Sequence, residues 1–314
     1  MVKANSINSI IPWVGGKKAL RDLIYQRFPN NYGRYIEVFG GAGWVLFGKP
    51  PDKFEVYNDY NNNLSNLFGV VRDQPFAFIL ELGYLPENSR YIFHLSKEIV
   101  SKQRIEDKYV EEEMIKVKVF FTELQAEEII EVMRVNRIEQ QDVKLAVAFF
   151  KIIRYSYGAN GRTYGSKGYD VRKAFVLVWD VSDRLANTII ENKDFEALIL
   201  QYDRPDAFFY CDPPYYETED FYDVEFKKED HIRLRDTLKN IQGKFLLSYN
   251  DCEFIRELYK DFYIESFTRQ NNLAMKFDGK SQFPEVLISN YNPMEGKSIS
   301  KQLELFNYED EEEV

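Results

Sequence analysis

Cysteine and histidine are almost missing from these 314 residues, with two of each. Cys211 and Cys252 cannot build a disulfide framework and lack zinc-site spacing, which fits a reducing compartment. His94 and His231 are too few for a histidine-rich metal centre and argue against a Ser-His-Asp triad. No apolar run reaches membrane-spanning length, and the N-terminus lacks the basic-then-apolar pattern of an export signal, so a soluble cytoplasmic protein is expected. Positive charge is also short: 41 Lys and Arg face 51 Asp and Glu, for a formal net charge of −10. As a whole-chain average this weighs against a polyanionic partner. Much of the acid is gathered between Glu111 and Glu131 and in the tail Glu309 to Glu313, however, and electrostatic footprints are local. What the chain has in quantity is apolar and aromatic residues, 45% and 16%, enough for a sizeable core.

The stretch that carries most chemistry is Asp212-Pro213-Pro214-Tyr215, at the end of the apolar run Ala207-Phe208-Phe209-Tyr210-Cys211. The run reads as a buried strand delivering an acidic loop to the carboxyl edge of a sheet, where open α/β sheets keep their sites. Two prolines fix φ and cannot continue a ladder, so the Asp212 carboxylate, the Pro213 carbonyl and the Tyr215 ring form a rigid fan. Two acceptors beside an aromatic face suit a planar amine, such as the exocyclic amine of a nucleobase. Hydrogen bonds from both amine hydrogens would localise its lone pair for attack on an electrophilic methyl group. The plain alternative is a tight turn with a solvent-facing Asp. Cys211 reads as core, because attack through a nitrogen lone pair needs no thiol.

Upstream, Pro12-Trp13-Val14-Gly15-Gly16-Lys17 places an aromatic ring, two glycines and a cation where backbone can approach a ligand and Lys17 can meet a carboxylate or phosphate. Tyr35-Ile36-Glu37-Val38-Phe39 reads as a strand opening into Gly40-Gly41-Ala42-Gly43 and a helix from about Trp44, the first unit of a nucleotide-binding α/β sheet. The third, helix-packing glycine of the dinucleotide fingerprint is replaced by Leu46, so a ligand without a pyrophosphate fits better than NAD. A second strand, Phe54 to Tyr57, ends at Asn58-Asp59, which places an acid 19 residues after Gly40 to accept from ribose hydroxyls. Asp194-Phe195 offers two readings, a hydrogen-bonding and stacking pair for the cofactor's adenine or the N-cap of a helix through Leu200.

From Asn61 to about Asp142 the chain is helical and charged, with Leu64, Leu67, Phe68 and Val71 forming an apolar stripe. A further apolar helix, Leu145 to Tyr157, carries Arg154 and leads into 158–168, rich in glycine, cations and tyrosine. That loop is expected to be flexible and suited to phosphates and base edges.

In this order the motifs resemble those of Dam-like adenine-specific DNA methyltransferases of the phage and restriction-system branch, over Pro12 to about Pro293. The resemblance implies a Rossmann-like mixed seven-stranded sheet with an inserted helical target-recognition lobe. The core would comprise 1–63 and 172–293, the insert 64–171, and 294–314 an acidic tail. It implies S-adenosylmethionine held by Trp13, Gly15, Gly16, Lys17, Glu37, Phe39, Gly40, Gly41, Gly43, Asp59, Asp194 and Phe195. Asp212, Pro213, Pro214 and Tyr215 would methylate the N6 amine of an adenine flipped out of double-stranded DNA. Arg154, Tyr157, Asn160, Arg162 and Lys167 would contact that DNA. The rival readings are methylation of the cytosine N4 amine, a non-catalytic relative that binds cofactor or DNA, and methylation of protein glutamine or RNA. In the tail, Gln302, Leu303, Leu305 and Phe306 resemble the peptide by which bacterial replication proteins dock on a sliding clamp.

Overall fold

A computed structural model describes residues 7–83, 89–102, 108–165, 169–217, 226–270 and 282–295. Seven strands, β1 (Arg34–Glu37), β2 (Glu55–Asn58), β3 (Thr188–Glu191), β4 (Ala207–Cys211), β5 (Lys244–Asn250), β6 (Tyr263–Gln270) and β7 (Gln282–Ser289), form one sheet in the order β3-β2-β1-β4-β5-β7-β6. The first five pair in parallel, while β7 runs antiparallel to both β5 and β6. This is the mixed seven-stranded α/β sheet expected from the sequence.

Strand alternation explains the two core layers. Tyr35, Tyr57, Phe208, Tyr210 and Leu246 face one layer; Ile36, Val56, Phe209, Cys211, Phe245 and Leu247 face the other. Both faces of β4 are covered, so its five residues are all buried and its sequence is an unbroken apolar run. Phe208 and Phe209, removed from water on opposite faces, each contribute roughly 1.5–3 kcal/mol. Cys211 is part of this packing, and burial pushes its thiol far above the usual range.

Helices α1 (Arg21–Tyr25) and α2 (Trp44–Gly48) bury Ile24, Val45, Leu46 and Phe47 in the same core layer as Tyr35 of β1. The connection from β2 to β3 then holds α3 (Asn62–Asp73), α4 (Pro75–Leu82), α5 (Arg90–Lys102), α6 (Lys108–Phe120), α7 (Glu123–Tyr155) and α8 (Arg172–Leu185). Leu64, Leu67, Phe68 and Val71 of α3 are buried, with Phe68 edge-on to Tyr57 of β2 at 5.1 Å, so α3 packs directly on the sheet. The 33-residue α7 is the spine on which α3, α4, α5 and α6 pack. The other core layer is covered by α9 (Phe195–Tyr202), α10 (Lys228–Lys239) and α11 (Glu253–Leu258), through Leu198, Leu234, Leu238 and Ile255.

Successive connections leave β1 toward β2 and β3 on one side and reach β4 and β5 on the other. The strand order therefore reverses between β1 and β4, which opens a crevice outside their carboxyl ends. Glu37 pairs with Tyr57 and Tyr210, so the loops after β1, β2 and β4 emerge at one level. Among the described residues no helix is long and apolar enough to cross a membrane.

Candidate active site at the carboxyl edge of the sheet

The crevice is a cavity of about 260 Å³ lined by the segment Trp13 to Lys17, the turn Glu37 to Ala42, Asn58 to Asn61, Lys193 to Phe195, Asp212 and Pro214. The glycine turn is built against an aromatic ring. Gly41 has φ +50°, and a Cβ there would sit 3.1 Å from the Trp13 ring, so both backbone and space favour glycine. Asp59 closes this turn: one carboxylate oxygen accepts the Gly41 N–H at 2.8 Å and the other accepts the Asn61 N–H at 2.8 Å. Each oxygen keeps a further lone pair for a ligand. Burial raises the Asp59 carboxyl to about 6 despite these two amides. Glu37, at the tip of β1 and 2% exposed, accepts the Tyr35 hydroxyl at 2.7 Å. Burial, outweighing that bond and the more distant Lys49, raises its carboxyl to about 8.

Asp212 emerges from β4 into the same cavity. The Lys17 ammonium, only 4% exposed, lies 2.7 Å from its Oδ1 and 4.8 Å from the centre of the Tyr215 ring. The Tyr215 hydroxyl donates to Oε2 of Glu285, a buried β7 carboxylate, at 2.8 Å. The ring is thus fixed at its far end while it stays half-buried at the mouth of the loop.

The structure brings most of the predicted positions together. Trp13, Gly15, Gly16, Lys17, Glu37, Phe39, Gly40, Gly41, Asp59, Asp194 and Phe195 line the cavity with Asp212 and Pro214. Gly43 sits beyond it as the N-cap of α2, with φ +67°. Asp194 combines the two readings offered by the sequence: it caps α9 by accepting the Glu196 N–H at 3.0 Å, and it also faces the cavity.

Arg154 differs from its expected place. Its guanidinium donates to the Ile10 carbonyl and lies 4.3 Å over the Tyr169 ring, in an environment whose burial pulls its pKa down. It therefore ties the end of α7 to the N-terminal segment instead of reaching outward.

Of the loop after it, expected over 158–168, the described residues to 165 hydrogen-bond to one another and to the end of α7. Ser156 and Tyr164 form a bridge, Tyr157 N–H donates to Thr163 O at 2.8 Å, and Asn160 Oδ1 accepts the amides of Arg162 and Thr163 at 2.8 and 3.2 Å. Tyr157 and Arg162 are exposed on it. Lys167 and the Gln302 to Phe306 peptide lie outside the described residues.

Two site residues carry no obvious sequence signal. Buried Asn58 ties three strand ends, donating to Val38 O at 2.9 Å and Lys193 O at 3.1 Å while accepting Lys193 N–H at 2.8 Å. Arg233 of α10 grips Asp194 at 2.8 and 2.9 Å and lies 4.2 Å over the Phe195 ring. A polar residue ending a wholly buried strand, after Val56 and Tyr57, is a faint pointer to Asn58. In sequence, Arg233 is indistinguishable from any cation on a helix surface.

Sheet order and the loops that meet at the β1/β4 reversal place the chain among the α/β methyltransferases. Comparison of families narrows this: the profile of the D12 class N6 adenine-specific DNA methyltransferases matches residues 13–273, and the chain belongs to that family. It is thus an enzyme of adenine-specific DNA methylation. It is 29% identical over 310 residues to the Type II methyltransferase M1.LlaDCHI of Lactococcus lactis subsp. cremoris, covering 93% of this chain and 99% of the relative. Similarity to the DNA adenine methylase of Haemophilus influenzae is 23% over 296 residues, 88% of this chain and 91% of the relative. A shorter match, 37% over 83 residues, covers 26% of this chain and 32% of the Type II methyltransferase M.CviBI of Paramecium bursaria Chlorella virus NC1A.

Proposed function

We propose that the cavity binds S-adenosylmethionine and that Asp212 and the Pro213 carbonyl hold the N6 amine of an adenine flipped out of double-stranded DNA. The observation that carries this reading is that Asp212, after β4, lines the same cavity as the glycine turn after β1 and the acid after β2. The residues present suit the cofactor. Asp59 keeps acceptor capacity for ribose hydroxyls, Trp13, Phe39 and Phe195 offer aromatic faces, and Lys17 offers a cation to a carboxylate.

When bound, S-adenosylmethionine supplies a methyl group made electrophilic by its sulfonium. The chain's own residues do the rest. Asp212 and the Pro213 carbonyl accept the two amine hydrogens and so localise the nitrogen lone pair. The Tyr215 ring returns part of the few kcal/mol lost when the base leaves its stack. Pro214 stiffens the loop so that both acceptors arrive with their spacing already set. The half-enclosed, aromatic cavity limits water around the reacting groups.

DNA recognition is assigned to the helical connection 64–171, apart from the stretch of α3 that packs on the sheet, with the rest of the core in 1–63 and 172–293. The self-tied loop presents Tyr157, Asn160 and Arg162, and Arg154 anchors the end of α7 that leads into it. A loop fixed in the free protein loses less entropy on binding than a mobile one, which suits the reading of a defined base sequence.

The test is incubation with labelled S-adenosylmethionine and DNA, followed by nucleoside analysis. Label is expected in N6-methyladenine and lost with Asp212→Ala, while that variant still binds S-adenosylmethionine. Full activity of Asp212→Ala, or label on another acceptor, would overturn the reading.

A further inference from the structure

The loop after β4 is held from its flank by the neighbouring strand. Along β5, Phe245, Leu247 and Tyr249 enter one core layer and Leu246 the other; by alternation Ser248 and Asn250 share the face of Leu246. Ser248 is fully buried, and its hydroxyl donates to Oδ1 of Asp212 at 2.7 Å. Two positions on, the Asn250 amide takes hold of the backbone of Tyr216 from both ends. Oδ1 accepts the Tyr216 N–H at 3.1 Å and Nδ2 donates to the Tyr216 carbonyl at 3.1 Å. The two contacts bracket Pro213, Pro214 and Tyr215.

The terminal torsion of an aspartate is broad and nearly two-fold, so an unheld carboxylate turns readily. Here the Ser248 hydroxyl and the Lys17 ammonium both fall on Oδ1, each at 2.7 Å. That fixes the rotation and leaves Oδ2 as the acceptor for an incoming amine. The prolines transmit the anchoring at Tyr216 back along the loop, because neither can absorb a change in φ.

We propose that Ser248 and Asn250 are positioning residues for methyl transfer. Ser248 sets the rotation of the Asp212 carboxylate, and Asn250 pins the far end of the loop so that Oδ2 and the Pro213 carbonyl keep the spacing that grips both hydrogens of one amine. This rests on the reading of Asp212 given above.

Single-turnover methylation with labelled S-adenosylmethionine, alongside equilibrium binding of cofactor and DNA, tests it in the full chain. Ser248→Ala removes one hydrogen bond to a charged acceptor, so the methyl-transfer rate is expected to fall about 10- to 100-fold while both affinities change by less than about threefold. Asn250→Asp keeps the acceptor for the Tyr216 N–H but loses the donor to its carbonyl, and its rate should fall by a smaller factor with affinities again preserved. In an Asp212→Asn background Ser248→Ala should add little, because its effect passes through the carboxylate.

A Ser248→Ala enzyme with the parent rate, or one whose rate and cofactor affinity fall together, overturns the proposal. The two readings fail separately. An active Asp212→Asn enzyme removes the role of Asp212 itself, whereas an inactive Asp212→Asn beside a fully active Ser248→Ala removes only the positioning role.

Discussion

Buried carboxylates stand at opposite ends of the same parallel strands, and their surroundings are opposite too. At the amino end of β2, Glu55 is 2% exposed and saturated: it accepts from Lys49, from Arg184 at 2.5 and 2.9 Å, from Thr188 at 3.3 Å and from the Asp52 N–H at 2.9 Å. Burial pushes its pKa up, but the Arg184 bonds and the Lys49 charge outweigh that and hold the carboxyl below the usual range. At the carboxyl end, Glu37 and Asp59 are held by neutral donors alone, and both are raised. The first arrangement is closed, since every charge there already has its partner. The second leaves carboxylates whose charge is poorly compensated until something enters the cavity, which is how binding sites differ from structural ion pairs.

The contrast is broken most forcefully from the closed end. Glu55→Ala strips the carboxylate from two cations, Lys49 and Arg184, that are 7% and 9% exposed. Removing one side of such a cluster costs about 3–5 kcal/mol, because the remaining charges stay buried. Urea unfolding should show that loss, and the folded fraction should bind S-adenosylmethionine with parent affinity. If cofactor affinity fell while stability held, the amino end would not be the structural end.

Asp59→Asn probes the open end and should show the reverse. An amide there loses a charged acceptor, so cofactor affinity should drop about 10- to 100-fold with only a minor change in midpoint temperature. Isothermal titration decides it, and unchanged affinity would reduce Asp59 to a builder of the glycine turn.

The contrast also explains what is legible in the sequence alone. The open end is made of short signals that announce themselves locally: apolar strands stop at glycine, acid or proline, and parallel register then brings Glu37, Tyr57 and Tyr210 level. That suffices to gather Gly41, Asp59 and Asp212. Side-chain contacts between distant segments are not legible in this way. Ser248 meets Asp212 across 36 positions, Arg233 meets Asp194 across 39, and Arg154 meets Ile10 across 144. Arg154 shows the cost of local reading, since cation, tyrosine and glycine neighbours suggest nucleic acid, whereas the Ile10 carbonyl and the Tyr169 ring take the guanidinium inward. Composition likewise suggests a mobile loop after it, yet Asn160 closes a turn on Arg162 and Thr163 that only the fold reveals.

The smallest expected effect sharpens the contrast through pH. Glu37 has its carboxyl near 8 in the folded protein against an ordinary value of 4.5. Between those values the folded state holds a proton that the unfolded chain has released, so this group makes the cofactor-free protein less stable as pH rises. The slope is at most about 1.4 kcal/mol per pH unit. Glu55, with its carboxyl lowered, acts with the opposite sign: its stabilisation is complete above the ordinary value of 4.5 and is lost only on acidification. A melting series from about pH 6.5 to 8.5 runs mostly above the titration of Asp59, near 6, and the difference between the parent and Glu37→Gln separates Glu37 from the other groups that titrate there. The parent should lose a few degrees across that window. Glu37→Gln, which keeps an acceptor for the Tyr35 hydroxyl without the charge, should flatten the series. An equally steep fall in Glu37→Gln would mean that the carboxylate at the tip of β1 is ionised throughout, and that the two ends of the sheet are electrostatically alike.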